Sequence, residues 1–382
     1  MQQGAYERDS GESMKKLISG LKYVPLAALA LLVGASVVAP SGRTDAVPTC
    51  PSVVKVRGST TLHPATAQAE PIFEGQWPGT DAQPAYIGSG NGLNELRLFN
   101  GTNHVAPSSR PLNASEAAQL YGFLVGRDGF VIAVKNSGNM GFINNITKSQ
   151  VEQIYEGTIT NWNQLGGPNQ PIVPRARITE SGSYVDFLSQ FAIDSTLEAN
   201  TIANTGLGRL TESSDMAQAA AANDFQIAYT SLANLFTAGM KALSLNGVAP
   251  NHDTVANGTY PSIRTLWYAV PKTSFADRID DTSTVRGDDW VNFMLSSAGQ
   301  LLMDQEFVSV GAPALPPIPD WDINMDGSTT LGDLIAITAK WGQATSCGGW
   351  IRADANNSAN VSLGDIGVVT GRWGGAGFVP PN

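Results

Sequence analysis

The sequence predicts an α/β protein with a small helical module at its C-terminal end. Three observations predict this. Short β-branched strands alternate with amphipathic helices from about residue 53 to 316. A proline-rich stretch, GAPALPPIPD, follows at residues 311–320. Beyond it lies an internal repeat, in which Asp322, Asp333, Trp341 and Gly342 recur as Asp354, Asp365, Trp373 and Gly374.

Along the first region, VVKVRG (Val53–Gly58) has the β-branched residues of a strand and ends on glycine. FVIAVKN (Phe130–Asn136) is a second apolar strand running into turn residues. SQVEQIYEG (Ser149–Gly157) places Val151, Ile154 and Tyr155 on one helical face behind a serine cap. GSYVDFLSQFA (Gly182–Ala192) does the same with Val185, Phe187, Leu188 and Phe191. TLWYAVP (Thr265–Pro271) is a late strand, and DWVNFMLSSAGQLLM (Asp289–Met303) a late helix. A chain of 382 residues can build this core as one unit or as two packed ones. The prolines at 314–320 read as a semi-rigid linker.

The formal net charge is −10, and basic residues do not cluster in the body of the chain. A nucleic-acid-binding surface would need such a cluster, so that class is set aside. Near the start, Lys15, Lys16 and Lys22 precede an apolar run from Tyr23 to Ala39. This is the order of a secretory leader, with translation starting at Met14 and cleavage near Val33-Gly34-Ala35 or Thr44-Asp45-Ala46. The competing reading is an uncleaved anchor, although the run is short for a membrane span. Residues 1–46 are thus expected to be lost on export. Cys50 and Cys347, the only cysteines, could then pair, though sequence gives no geometry for it.

The repeat carries the sharpest local chemistry. DINMDGSTTLGD puts Asp322, Asn324 and Asp326 at positions 1, 3 and 5 and Gly327 at the turn. Ser328 follows as a carbonyl donor, with Thr330 at position 9 and Asp333 at position 12. Alternating hard oxygens closed by an acid at the twelfth position are what a calcium loop supplies. The second copy offers Asp354, Asn356, Ser358, Asn360 and Asp365, with Ala359 where the turn glycine should be. Its neutral ligands predict weaker binding. Loop, single helix and duplication together resemble a type I dockerin over residues 321–375. That resemblance implies two calcium ions and a cohesin domain of another protein as partner. A calcium-stabilised cap without such a partner is the plainer alternative.

Three stretches of the large region set hydroxyls and glycines just before expected helices. They are GSTTL with Thr60 and Thr61, GSGNG with Ser89, and ESGSY with Ser183. Each alone is an ordinary cap. Together they suggest neutral cradles for an anion, because a helix N-terminus presents unpaired N–H groups and a positive dipole end.

The stretches GSTTLHP, IGSGNGLNEL, APSSRPL, IYEGTITNWNQLGG and ITESGSYVDF resemble the phosphate-binding proteins of ABC importers, within the periplasmic-binding-protein family. The resemblance runs from about residue 53 to 313. It implies a bilobed α/β fold, with lobe one at about 50–125 and 260–313 and lobe two at about 126–259. It also implies an oxyanion held between the lobes by Thr60, Thr61 and Ser89, and an importer as partner.

Two departures from the family stand out. Its aspartate in Ser-Asp-Arg-Pro falls on Ser109. Its Arg-x-x-x-Ser-Gly-Thr motif, anchored on Ser183, puts Thr179 in the arginine place, Tyr184 in the glycine place and Val185 in the threonine place. Arg177, two residues upstream and on the face of Thr179 if the segment is a strand, is the candidate substitute. Arg110 is expected to be structural. The expected function is extracytoplasmic oxyanion binding, with phosphate first and a calcium-dependent attachment module behind. The alternative is a surface or secreted assembly component whose cleft takes another small ligand or none. His63, His104 and His252 form no metal or catalytic pattern, and Ser183 sits in no nucleophile elbow, so an enzyme is not expected.

Overall fold

The computed structural model describes residues 52–77, 79–272, 282–314, 316–319, 321–324, 327–340, 342, 355 and 361–378. The expected leader, Cys50, Cys347, Asp326 and the second-loop residues Asp354, Asn356, Ser358 and Asn360 lie outside these residues.

The chain opens with β1 (Ser52–Gly58), α1 (His63–Gln76), β2 (Thr80–Tyr86), α2 (Ser89–Arg97), β3 (Ala106–Ser108) and α3 (Ala114–Ala117). β1 and β2 pair in parallel across α1, the arrangement a strand–helix–strand sequence favours. The long β4 (Leu120–Gly129) then carries the chain into a second layered lobe, beginning with β5 (Val131–Lys135), β6 (Asn145–Ile146) and α4 (Lys148–Tyr155). β7 (Val173–Pro174), α5 (Gly182–Phe191), α6 (Ser195–Asn204) and α7 (Ser213–Ala222) follow. β8 (Gln226–Thr230), β9 (Met240–Ala242), β10 (Ser244–Leu245) and α8 (His252–Ala256) complete the lobe. β11 (Ile263–Pro271) brings the chain back, antiparallel to β4 along nearly its whole length. α9 (Thr282–Leu295), α10 (Ser297–Glu306) and β12 (Val308–Ser309) close lobe one. α11 (Leu331–Ala339) and α12 (Leu363–Thr370) form the tail.

Each lobe has its own core. In lobe one the sheet β12-β4-β11-β3 packs with Val54, Val56, Phe73, Trp290 and Phe293. In lobe two the sheet β7-β8-β5-β9 gathers Phe130, Tyr155, Trp162, Phe187 and Tyr229. Phe187 and Tyr229 stack at 3.8 Å. The stretch Ile154–Gly167 belongs to this second core. Trp162 is fully buried and donates its Nε1 hydrogen to the Phe225 carbonyl at 3.0 Å. A buried indole that finds its partner fixes the loop around it.

Two expectations about elements change. The late helix is two helices, α9 and α10, because Ser296 breaks the run. Its hydroxyl donates to the Phe293 carbonyl at 2.6 Å and accepts the Gly299 N–H at 3.3 Å, ending one helix and capping the next. The proline stretch does not run free, since Ile318 is fully buried with the lobe-one core. Both polar atoms of the Asn292 amide hold the Ile318 backbone, at 2.8 and 3.0 Å.

The tail is fastened from its far end as well. Residues 374–378 return from α12 alongside the first loop, with Ser328 bridged to Ala376. The fully buried Phe378 ring then meets Tyr121 of lobe one at 4.9 Å.

Candidate functional site

The site lies where β4 and β11 cross between the lobes. Arg264 and Asp128 are direct cross-strand partners in the β11–β4 ladder. On one face such a pair brings the side chains together. Arg264 Nε and Nη2 donate to Asp128 Oδ2 at 2.9 and 2.7 Å, with both side chains fully buried. The other Asp128 oxygen accepts the N–H groups of Gly129 and Leu232 at 2.7 and 2.9 Å. That leaves Arg264 Nη1 pointing at Ser183 Oγ, 2.6 Å away. The Arg264 guanidinium also lies 4.2 Å over the Phe130 ring, which supports a buried cation.

Hydroxyls from both lobes meet at this point. Ser183, in the first turn of α5, lies 2.8 Å from Thr61 Oγ1 and 3.4 Å from Ser109 Oγ. Ser109 lies 3.2 Å from Ser89 Oγ and gives Ser89 its backbone N–H at 3.1 Å. Thr61, Ser89, Ser109 and Ser183 are all buried. A second guanidinium approaches from lobe two, where Arg177 Nη2 donates to Thr60 Oγ1 at 2.6 Å and to the Thr211 carbonyl at 2.5 Å. Its backbone N–H is fixed by the Tyr229 hydroxyl at 3.1 Å, and its Nε by the Leu210 carbonyl at 3.3 Å. Among the described residues, Arg177 Nη1 is buried without a hydrogen-bond partner. Burial pulls the Arg177 pKa down to about 10, so the group stays cationic at neutral pH.

The helices feeding this cluster share a feature. α1, α2 and α5 begin without a side-chain cap. Elsewhere α3, α4, α6 and α10 are capped by Asn113, Thr147, Asp194 and Ser296. The positive dipole ends of these helices reinforce the two guanidinium groups, while His63 N–H is taken by the Thr60 carbonyl and Gly90 N–H by the Glu180 carbonyl. Close approach of the lobes depends on Gly182. A Cβ there would sit 2.4 Å from Ser89 Oγ and 2.9 Å from Ser109 Oγ. Opposite it, Gly88 takes a φ of 90°, which lets α2 start directly under the Glu180 carbonyl, and Gly90 N–H donates to that carbonyl at 3.2 Å.

The expected site residues therefore separate. Thr60, Thr61, Ser89, Ser109, Ser183 and Arg177 come together. Thr179 is exposed, and Tyr184 turns away to give its hydroxyl to Glu198 at 3.1 Å under the Arg209 guanidinium. Val185 is 48% exposed. Arg177 and Thr179 do not share a strand face, because β7 ends at Pro174 and the chain runs irregularly to α5. With Arg177 in its first place, Arg-x-x-x-Ser-Gly-Thr falls on Arg177, Ser181, Gly182 and Ser183. The motif is thus read two residues upstream of the register expected above, and its one change is threonine to serine. Arg110 pairs through both terminal nitrogens with Glu116 at 2.8 Å. Arg264, Asp128 and Gly182 were not expected in the site. An arginine at the edge of an apolar strand was the only local signal for Arg264.

In the tail, Asp322 and Asp333 are both fully buried. Asp333 accepts the N–H of Asn324 at 3.2 Å and of Thr330 at 2.7 Å, so the twelfth position reaches back to the third. Asp322 accepts Gly327 N–H at 3.0 Å, and Gly327 has a φ of 90° at the turn. Asp365 likewise closes on Ser362 N–H at 2.7 Å. Among the described residues no group of three or more His, Cys, Asp or Glu side chains forms a metal cluster. Buried carboxylates on a closed loop are nevertheless a donor set that suits a hard cation.

A family model described as the PBP superfamily domain matches residues 39–298. The phosphate-binding protein PstS of Bacillus subtilis is 27% identical over 209 residues, which is 54% of this chain and 66% of that protein. PstS of Borreliella burgdorferi is 26% identical over 259 residues, covering 66% of this chain and 88% of the other. Among solved structures, a Clostridium perfringens phosphate ABC transporter substrate-binding protein with phosphate bound superposes with a TM-score of 0.59 at 22% identity. It covers 68% of this chain and all of that one. An ABC-type phosphate transport receptor from Vibrio cholerae gives 0.54 at 24%, covering 67% and 99%. These likenesses in fold cover the two lobes.

Proposed function

The chain belongs to the PBP superfamily, and from that premise we propose that it is an extracytoplasmic solute-binding protein whose interlobe cleft takes phosphate for an ABC-type importer. One observation carries the reading. Among the described residues Arg177 Nη1 is buried without a hydrogen-bond partner, and the same guanidinium holds Thr60 Oγ1 of lobe one and the Leu210 and Thr211 carbonyls of lobe two. Burying a charged donor without an acceptor is costly, so the geometry calls for an anion there. The relatives named above as phosphate-binding proteins support the choice of phosphate. Family members are binding proteins of transport systems, and the chain is not an enzyme. Titration calorimetry of the chain with phosphate tests the proposal. Binding that Arg177→Ala abolishes supports it, and a silent wild-type titration sinks it.

The tail favours a second, compatible reading. Asp322 and Asp333 are buried at opposite ends of one closed twelve-residue loop, and we read this loop as a calcium site. Asp322, Asn324, Asp326 and Asp333 would hold the ion with side chains and Ser328 with its carbonyl. The duplicate would use Asp354, Asn356, Ser358, Asn360 and Asp365. Calcium would supply the charge that lets these carboxylates lie buried together. The module would then attach the binding domain to a cohesin-like partner or a cell surface. Melting with calcium and with a chelator tests the metal; equal melting temperatures would remove it.

A further inference from the structure

The groups around the hydroxyl cluster divide unevenly into donors and acceptors. Arg177 and Arg264 are donors only, and so are the N–H groups of the uncapped first turns. The nearest carboxylate, Asp128, is filled on both oxygens by Arg264, Gly129 and Leu232. Asp186 receives Gln190 Nε2 at 3.0 Å. At the start of α7 the Glu212 N–H donates to Asp215 Oδ2 at 3.0 Å. Glu198 is held by Arg209 and Tyr184. At the centre stands Ser109, fully buried between Ser89 and Ser183.

This matters because tetrahedral oxyanions differ in their protons. Monohydrogen phosphate carries one O–H that needs an acceptor, whereas sulfate carries none. A carboxylate accepts only. It would therefore reward the phosphate proton and repel a bare sulfate oxygen at the same place. A hydroxyl rotates to donate to one and accept from the other.

Resting on the oxyanion reading above, we propose that this site selects by charge and size rather than by protonation. Sulfate-class dianions are therefore ligands alongside phosphate, and Ser109 is the residue that decides it. The two arginines and three helix starts hold a dianion whichever central atom it has. Ser109 leaves the discrimination between the two unmade.

The full chain would be titrated calorimetrically with phosphate and, separately, with sulfate at one pH, beside the Ser109→Asp and Ser109→Ala variants. Both anions should bind wild type with affinities within about tenfold, the range a single neutral hydrogen bond commands. Ser109→Asp should keep phosphate and lose sulfate by about a hundredfold, as a buried like-charge contact demands. Ser109→Ala, which places no charge in the core, should weaken both anions alike. Wild type preferring phosphate a hundredfold over sulfate would overturn the proposal. So would selective loss of phosphate in Ser109→Ala, because Ser109 would then be the proton acceptor. Binding of neither anion would instead remove the oxyanion reading itself.

Discussion

Thr61 Oγ1 and Ser183 Oγ lie 2.8 Å apart although 122 positions separate them, one at the start of a lobe-one helix and the other at the start of a lobe-two helix. The same contact places Ser183 under Arg264, whose position is set by a strand ladder and not by any loop. The anion site is therefore a property of how β4 and β11 cross, with the hydroxyl loops fitted around it. An entering oxyanion exchanges hydroxyl–hydroxyl bonds for charge-assisted ones, which are roughly twice as strong.

Arg177 supplies the clearest loss-of-binding test. Its removal takes away a charge-assisted donor and leaves Thr60 without that partner. Arg177→Ala should weaken phosphate by at least about a hundredfold, in line with ~3 kcal/mol for such a bond. Arg177→Lys keeps the charge and loses the planar fork, so it should fall between wild type and alanine. Calorimetry on the three proteins checks the order; a lysine variant as poor as alanine would mean that geometry alone matters.

Closure is tested at Gly182. The added methyl of Gly182→Ala would overlap Ser89, whose Cβ lies 2.6 Å from where the new atom must go. The lobes must then part by a few tenths of an ångström. We expect phosphate affinity to fall at least about tenfold with little change in melting temperature, since α5 itself tolerates alanine. A melting-temperature loss as large as the binding loss would place the damage in folding instead.

How far the site could be read from sequence follows from these residues. Thr60, Thr61, Ser89 and Ser183 were legible because a hydroxyl before a helix is a local pattern. The motif register is set two residues late when it is anchored on Ser183, because Ser181 and Gly182 are the serine and glycine that follow Arg177 at the right spacing. Asp128 was not legible, and Arg264 only as an arginine at the edge of an apolar strand, since their pairing is a cross-strand register between residues 136 positions apart. Alternating strands and helices reported α/β layers. The anchoring of the proline stretch on Asn292 was invisible, because one asparagine amide carries it.

Asp186 gives a pH signature. Burial pushes its pKa up to about 6 from the usual 3.8, outweighing the opposing pull of Arg264. A carboxyl with a raised folded pKa holds its proton in the folded state where the unfolded chain has lost it. Folding stability therefore rises as pH falls from about 6 toward 4 and is lower by a constant amount above 6. Asp186→Asn should raise stability at pH 7.5 by on the order of 1–2 kcal/mol, allowing for solvent screening of a half-buried group. The gain should vanish near pH 4. Denaturant melts at the two pH values check it, and an equal gain at both would mean that charge is not the cause.

The buried Arg264–Asp128 pair should matter more when broken than when replaced. Asp128→Asn leaves a buried guanidinium with a neutral partner and should cost about 3–5 kcal/mol. It also loosens the Arg264 side chain from its carboxylate anchor, so anion binding should fall with stability; denaturant melts and a phosphate titration of the variant check both.

The tail is expected to behave as part of lobe one. Phe378 is fully buried against Tyr121, and its N–H donates to Asp322 Oδ2 at 2.6 Å, so one residue touches both the first loop and the lobe. Phe378→Ala removes the ring and leaves the backbone bond in place. By the usual range for emptying an aromatic site it should cost about 3 kcal/mol. That loss should appear in the main melting transition of the binding domain. If it appeared only in a separate early transition, the tail would be an independent module resting on the lobe. A shift of the main transition would instead make the loop of Asp322 a structural neighbour of the lobe-one core, so that whatever binds the loop also stabilises the lobe.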